Sequence, residues 1–227
     1  MSWFEAITGF PEQGYAETQR RLQVVDGKLV SDASALRYSI GHLETPALGE
    51  LRKRIASLEV SGSTKVSIFQ GDVRKLHGLA ENRGALFQVA SQFNLLEMVS
   101  YNVGPEDGVT RYEGDRTQGP ACAIAAGAAT IYRNYLVQFP DGSVGQTASR
   151  QIDCVKDLGE ALGNQKGRLW TMRNGYVLFT EQGLKLVDEA LASASEKEVD
   201  DLRSLLRVGV HWQVDVTDPQ PGHLVSQ

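Results

Sequence analysis

Between Gly119 and Val137 the chain reads GPACAIAAGAATIYRNYLV, and this run narrows the possible folds more than any other. Pro120 stands where a helix can open, since the first turn needs no N–H and the ring presets φ. Alanine and glycine fill most of the following positions. A helix with so little side-chain volume buries surface only by lying very close to a sheet or to another helix. Its apolar stretch, ACAIAAGAAT, is far shorter than the roughly 20 residues that cross a bilayer, so the expected packing partner is protein.

The flanking segments supply candidate sheet and helix neighbours. TKVSIFQGDV (64–73) reads as a strand leading into a turn at Gly71-Asp72, and ALFQVA (85–90) as the next strand. LRVGVHWQVDVT (206–217) is a late strand in which Val208, Val210, Trp212, Val214 and Val216 alternate against the other face. Hairpins are expected around Asp26-Gly27, Asp141-Gly142 and Asn174-Gly175, dipeptides suited to tight turns. TPALGELRKRIASL reads as a helix with Thr45 as N-cap and Pro46 at its first position. SRQIDCVKDLGEALGN is a helix closed by Gly163-Asn164. Two more helices follow, the second opened by a capping box of Ser195 and Glu198. Interleaved strands and helices predict an α/β chain with a mixed sheet. Residues 1–62 form an N-terminal hairpin-plus-helix extension, and residues 63–227 the main domain.

A formal net charge of -5 speaks against a general nucleic-acid or anionic-membrane binder, which needs excess Lys and Arg. The two cysteines, Cys122 and Cys154, cannot build a disulfide framework and fit a reducing compartment. MSWFEAITGF lacks the basic segment and apolar run of a secretory signal. The expected location is the cytoplasm, and the His and Cys residues show no metal-ligand spacing.

ALFQVASQFNLLEMV (85–99) carries a strand straight into Ser91, Gln92, Asn94 and Glu97. In open α/β sheets ligands sit just past the carboxyl ends of strands, so these polar groups are candidate ligand readers. VSIFQGDVRKL followed by this segment resembles the opening of macrodomains, the ADP-ribose-binding α/β/α modules. In that family a strand ends in G-D-I or G-D-V, and the next reads roughly A-I-V-N-A-A-N-S-x-L-L before a glycine-rich loop. The resemblance spans about residues 64–135 and implies a three-layer α/β/α macrodomain-like fold. It assigns adenine contact to Asp72, with Val73 beside it, and ribose contact to a position near Ser91 or Gln92, with Asn94 a further candidate ligand-binding residue. Leu95 and Leu96 match the Leu-Leu pair one residue late.

No glycine run follows Leu96. The expected substitute for phosphate binding is EGDRTQGP, which puts Arg116, Thr117, Gln118 and Gly119 at a helix N-terminus, where free N–H groups and the helix dipole favour anions. In the glycohydrolase branch a Gln-Glu-Glu motif opens the corresponding helix; here only Gln118 matches. The candidate acids for ADP-ribosyl hydrolysis are therefore Glu97, Glu113 and Asp115, one of which would assist water at the anomeric carbon. The stretches DRTQGPACAIAAGAATIYRNY, RQIDC and RVGVHWQVDVT also resemble a branch with macrodomain character whose chains continue to a G-G-G-A-F-G-N segment. By that resemblance residues 1–227 lack sheet strands after GVHWQVDVT. The expected partners are ADP-ribose or an ADP-ribosylated substrate, with a further segment or second chain completing the sheet. No cofactor is implied.

Two other classes fit the same residues. Cys122 in the first turn of a helix, with Gln118 upstream, His211 as base and Asp215 or Asp218 as orienter, follows the order of papain-like cysteine hydrolases. Each residue also has a plainer role: Asp72 as a helix N-cap, Cys122 as a small core residue, His211 as a satisfied strand histidine. Tyr132, Arg133 and Tyr135 then pack locally. The third class is a non-catalytic protein-interaction module.

Overall fold

The computed structural model describes residues 1–59, 62–82, 84–115 and 117–214, together with the backbone of 223–226. Its helices are α1 (Trp3–Thr8), α2 (Tyr15–Arg20), α3 (Leu48–Ile55), α4 (Val73–His77), α5 (Gln118–Ala126), α6 (Ala128–Tyr135), α7 (Lys156–Ala161), α8 (Glu181–Ser193) and α9 (Glu196–Arg203). Its strands are β1 (Leu22–Val25), β2 (Lys28–Ser31), β3 (Tyr38–Ser39), β4 (His42–Glu44), β5 (Leu86–Gln88), β6 (Trp170–Arg173), β7 (Tyr176–Phe179), β8 (Val210–Val214) and β9 (His223–Ser226). The chain is mixed α/β: β1-β2-β3 form an antiparallel sheet, β6-β7 a hairpin, and β4-β8-β9-β5 a sheet in which only the β9–β5 pair is parallel.

Local chemistry explains several of these elements. Asp26 and Gly27, and again Asn174 and Gly175, all take positive φ, as the central residues of type I′ turns must. The Ser195–Glu198 capping box opens α9, and Gly163 leaves α7 with φ 71. At Asp141-Gly142 the hairpin shrinks to a single bridge, Gln138 to Val144.

Other expectations need correcting. The long helix from Pro120 is two helices, because Gly127 adopts φ 50, ψ -105 between α5 and α6. The Thr130 hydroxyl donates to the Ala123 carbonyl at 2.5 Å across that break. α3 starts at Leu48, not after Thr45, since Ala47 bridges Arg207 and the Pro46 carbonyl accepts from Val208 N, holding 45–47 extended. Residues 64–70 form no strand: Val66, Ile68 and Phe69 are exposed and the segment pairs with no neighbour among the described residues. β8 is not left at an edge, because β4 and β9 flank it. Val216 lies outside the described residues.

The largest core joins what the sequence divides at residue 62. Trp3, Phe4, Ile7 and Phe10, with Leu22 and Leu29, pack on Val109, Tyr112, Ile124, Ile131 and Tyr135. Phe4 meets Tyr135 edge-on at 6.3 Å. α1 is thus held through the same core as α5 and α6. A smaller cluster of Val89, Cys122, Ala126, Ala129 and Val214, with half-buried Val73, lies against the other side of α5. The alanines let α5 and α6 press against side chains on both faces, as the composition of this run requires.

Gly41, between β3 and β4, has φ +67, and a Cβ there would collide with the Trp212 carbonyl oxygen and stand 3.2 Å from Gln213 C on β8. Gly41→Ala is expected to cost roughly 2 kcal/mol or more, the left-handed penalty plus displaced pairing. Urea unfolding should show a lower midpoint at unchanged slope; an unaltered midpoint would contradict the tight approach.

Candidate functional site

α4 and α5 pack together and enclose a cleft of about 720 Å³ lined by Gly71, Asp72, Val73 and Arg74 on one side and by Glu113, Asp115, Thr117 and Gln118 on the other. Two stretches forty residues apart, each singled out by sequence, therefore meet in one place. Asp72 caps α4: its Oδ1 accepts from Arg74 N at 3.0 Å, so the capping role is real, while Oδ2 takes no part in that bond. On the opposite wall Asp115 and Thr117 are bonded to each other. Asp115 Oδ1 accepts from both Thr117 N (2.9 Å) and Thr117 Oγ1 (2.7 Å), and these bonds hold its carboxyl below the usual carboxylate range. Glu113 Oε1 accepts from Trp3 N at 2.6 Å, tying α1 to the cleft wall. Arg116 lies outside the described residues.

Glu97 is not on the cleft surface but behind it. It is only 6% exposed, and its carboxyl rests on Gly119 in the first turn of α5, where a Cβ would come 2.6 Å from Glu97 Cδ. A larger residue there would have to displace the buried Glu97 carboxyl. Burial pushes the Glu97 carboxyl up to about 8 against the pull of the Arg133 charge, and Asp115 adds to the rise. At neutral pH it is an acid holding its proton, which cannot serve as a base.

Ser91, Gln92 and Asn94 are not brought to this cleft. Gln92 straps the turn that follows β5, Nε2 donating to Met98 O at 3.1 Å and Oε1 accepting from Met98 N at 2.8 Å. Asn94 is fully buried, donates to Gln151 Oε1 at 2.8 Å and accepts from Leu96 N at 3.1 Å. Ser91 donates to the Gln92 carbonyl and, with Gln92, lines a separate groove beside Cys154 and Arg207. Gln92 and Asn94 thus scaffold the turn that holds Leu95, at φ 64, and Leu96.

The cysteine arrangement differs from the one expected. Cys122 is fully buried, burial and the Glu97 carboxyl push its thiol up to about 12, and its partner is His77 Nε2 at 3.3 Å. His211 cannot be its base. Arg133 Nη1 lies 3.0 Å from His211 Nδ1, and His211 Nε2 contacts the Ile40 carbonyl. An arginine only donates and a carbonyl only accepts, so Nδ1 is the acceptor and Nε2 bears the hydrogen. The basic lone pair is already used. Asp215 and Asp218 lie outside the described residues. His77 was open to discovery in one respect: it falls four residues after Val73, on the same helical face, and stacks on Phe87 at 3.9 Å.

Among the described residues no group of three or more His, Cys, Asp or Glu is placed to hold a metal ion, and no helix is long and apolar enough to cross a membrane. No family model, curated protein or solved structure matches the chain.

Proposed function

We propose that this chain is a macrodomain-like α/β/α module that binds ADP-ribose, or a related nucleotide diphosphate sugar, in the cleft between α4 and α5. The observation that carries this reading is the convergence of Gly71–Arg74 with Asp115, Thr117 and Gln118 on a single cleft large enough for such a ligand. An Asp72 oxygen accepts from an exocyclic amine. The first-turn N–H groups of α5, whose dipole is positive at this end, meet the diphosphate, and Arg74 adds a cation on the facing wall. The N–H groups of this turn take over the part played elsewhere by a glycine loop. Of the three candidate acids, Glu113 and Asp115 line the cleft, and Asp115 is the one whose carboxyl is held below the usual range by its bonds to Thr117. Hydrolysis of an ADP-ribosyl bond would use it to stabilise developing positive charge at the anomeric carbon. Glu113 is committed to α1, and Glu97 is buried and protonated.

Asp72→Ala is expected to weaken ADP-ribose by about tenfold to 150-fold, the worth of a charge-assisted hydrogen bond of roughly 1.5–3 kcal/mol. Ribose 5-phosphate, which has no amine, should be affected far less. Calorimetric titration of both ligands decides: equal losses would make Asp72 a cap only, and no heat with ADP-ribose at millimolar concentration would remove the binding reading.

A further inference from the structure

The buried carboxyl behind the cleft has no structural use for one of its oxygens. Among the described residues Glu97 Oε1 has no hydrogen-bond partner, although the residue is 94% buried, the complement of its 6% exposure. It is also pressed against Gly119, in the first turn of a nine-residue helix whose leading residues line the cleft. We infer that Glu97 sets the ligand charge the cleft accepts: protonated, it leaves the α5 N-terminus available to a phosphate, and ionised, it repels that phosphate from beneath. This deepens the ADP-ribose reading and rests on it.

The groups facing Glu97 come from each element around it. The Tyr112 hydroxyl accepts from Glu97 N at 3.1 Å, Asp115 sits at the entrance of α5, Cys122 lies on α5 itself, and Arg133 approaches from α6. Tyr112 and Cys122 are themselves held neutral by burial, both pushed up to about 12, so neither supplies a competing charge near neutrality. Asp115 is already ionised there and does not change. Glu97 is then the facing group whose charge changes between neutral and mildly alkaline pH. It acts through the field at the helix end and not by touching ligand, which makes it a positioning residue. Two like charges about 6–12 Å apart at an effective dielectric near 20 repel enough to change affinity by roughly tenfold to a hundredfold.

The experiment is calorimetric titration with ADP-ribose, whose diphosphate keeps its charge through this range, and with adenosine, which has none. Each is measured at about pH 6.5 and about pH 9, on the intact chain and on Glu97→Gln. ADP-ribose should weaken roughly tenfold to a hundredfold at the higher pH on the intact chain, adenosine should not, and Glu97→Gln should bind ADP-ribose equally at both. Equal affinity of the intact chain at both pH values, or the same loss in Glu97→Gln, overturns the inference while leaving the ADP-ribose reading standing. Absence of binding at either pH overturns both. If Glu97→Gln does not fold, the pH profile of the intact chain decides alone, a midpoint outside about pH 7–9 counting against Glu97.

Discussion

Arg133→Ala should destabilise the protein by about 3–5 kcal/mol, a large share of a typical domain's stability, whereas Arg133→Met should cost clearly less. Arg133 is 1% exposed in the middle of α6. It donates to Thr130 Oγ1 at 3.1 Å and to His211 Nδ1, but its Nε finds no partner, and burial lowers its pKa to about 10. Alanine removes the volume of a long side chain and orphans the His211 acceptor, two penalties of roughly 2–5 and 1–3 kcal/mol that partly overlap. Methionine orphans the same acceptor but keeps most of the volume and discards a poorly paired buried charge, so the cavity part of the loss is avoided. Chemical denaturation of both variants separates the effects. If methionine proved as damaging as alanine, the guanidinium hydrogen bonds, not the packing, would dominate this part of the core.

Arg133 also illustrates what a sequence can and cannot disclose. Local rules are visible residue by residue: Asp26-Gly27 and Asn174-Gly175 must turn, Ser195 and Glu198 must cap, and Gly163 must end a helix. These follow from backbone sterics and hydrogen bonds made within a few residues. Long-range partnership is not visible in the same way. Val66 and Ile68 alternate like a strand, but alternation makes a strand only where another strand accepts its hydrogen bonds, and 64–70 has none among the described residues. Ser91, Gln92 and Asn94 look like ligand readers because they follow a strand. In the fold they satisfy the carbonyls and amides of a tight turn around Leu95. The cleft itself was legible in its parts, Asp72 and the Thr117–Gln118 helix start, since each has a local signature. That Glu97 would sit beneath Gly119, or that His77 and not His211 would meet Cys122, depends on how α4 and β5 lie against α5, which no short-range pattern encodes.

Stability should fall on both sides of a mildly acidic plateau, with Glu97 responsible for the alkaline side. Glu97 has a folded pKa of about 8 against an ordinary value of 4.5, so between those limits the folded chain binds a proton that the unfolded chain has released. Stability then decreases as pH rises through this window, by up to about 1.4 kcal/mol per unit. His211 has the opposite sign. Desolvation and the Arg133 charge lower it to about 3 from 6.5, so below pH 6.5 the unfolded chain gains a proton that the folded one refuses, and stability falls as pH drops towards 3. From 4.5 to 6.5 the two slopes oppose each other and roughly cancel. Above 6.5 the Glu97 slope dominates, and the buried Cys122 and Cys154 thiols add losses of the same sign only past their ordinary value of 9.0. Urea unfolding from about pH 4 to about pH 9 should therefore show a plateau with a falling arm on each side, the alkaline arm losing on the order of 2 kcal/mol by pH 8. Glu97→Gln, an isosteric neutral replacement for the protonated acid, should remove the alkaline arm and, with nothing left to cancel the His211 slope, extend the acid arm up to about pH 6.5. An alkaline arm that persists in Glu97→Gln would mean that another group carries it and that the carboxyl beneath Gly119 is not held neutral.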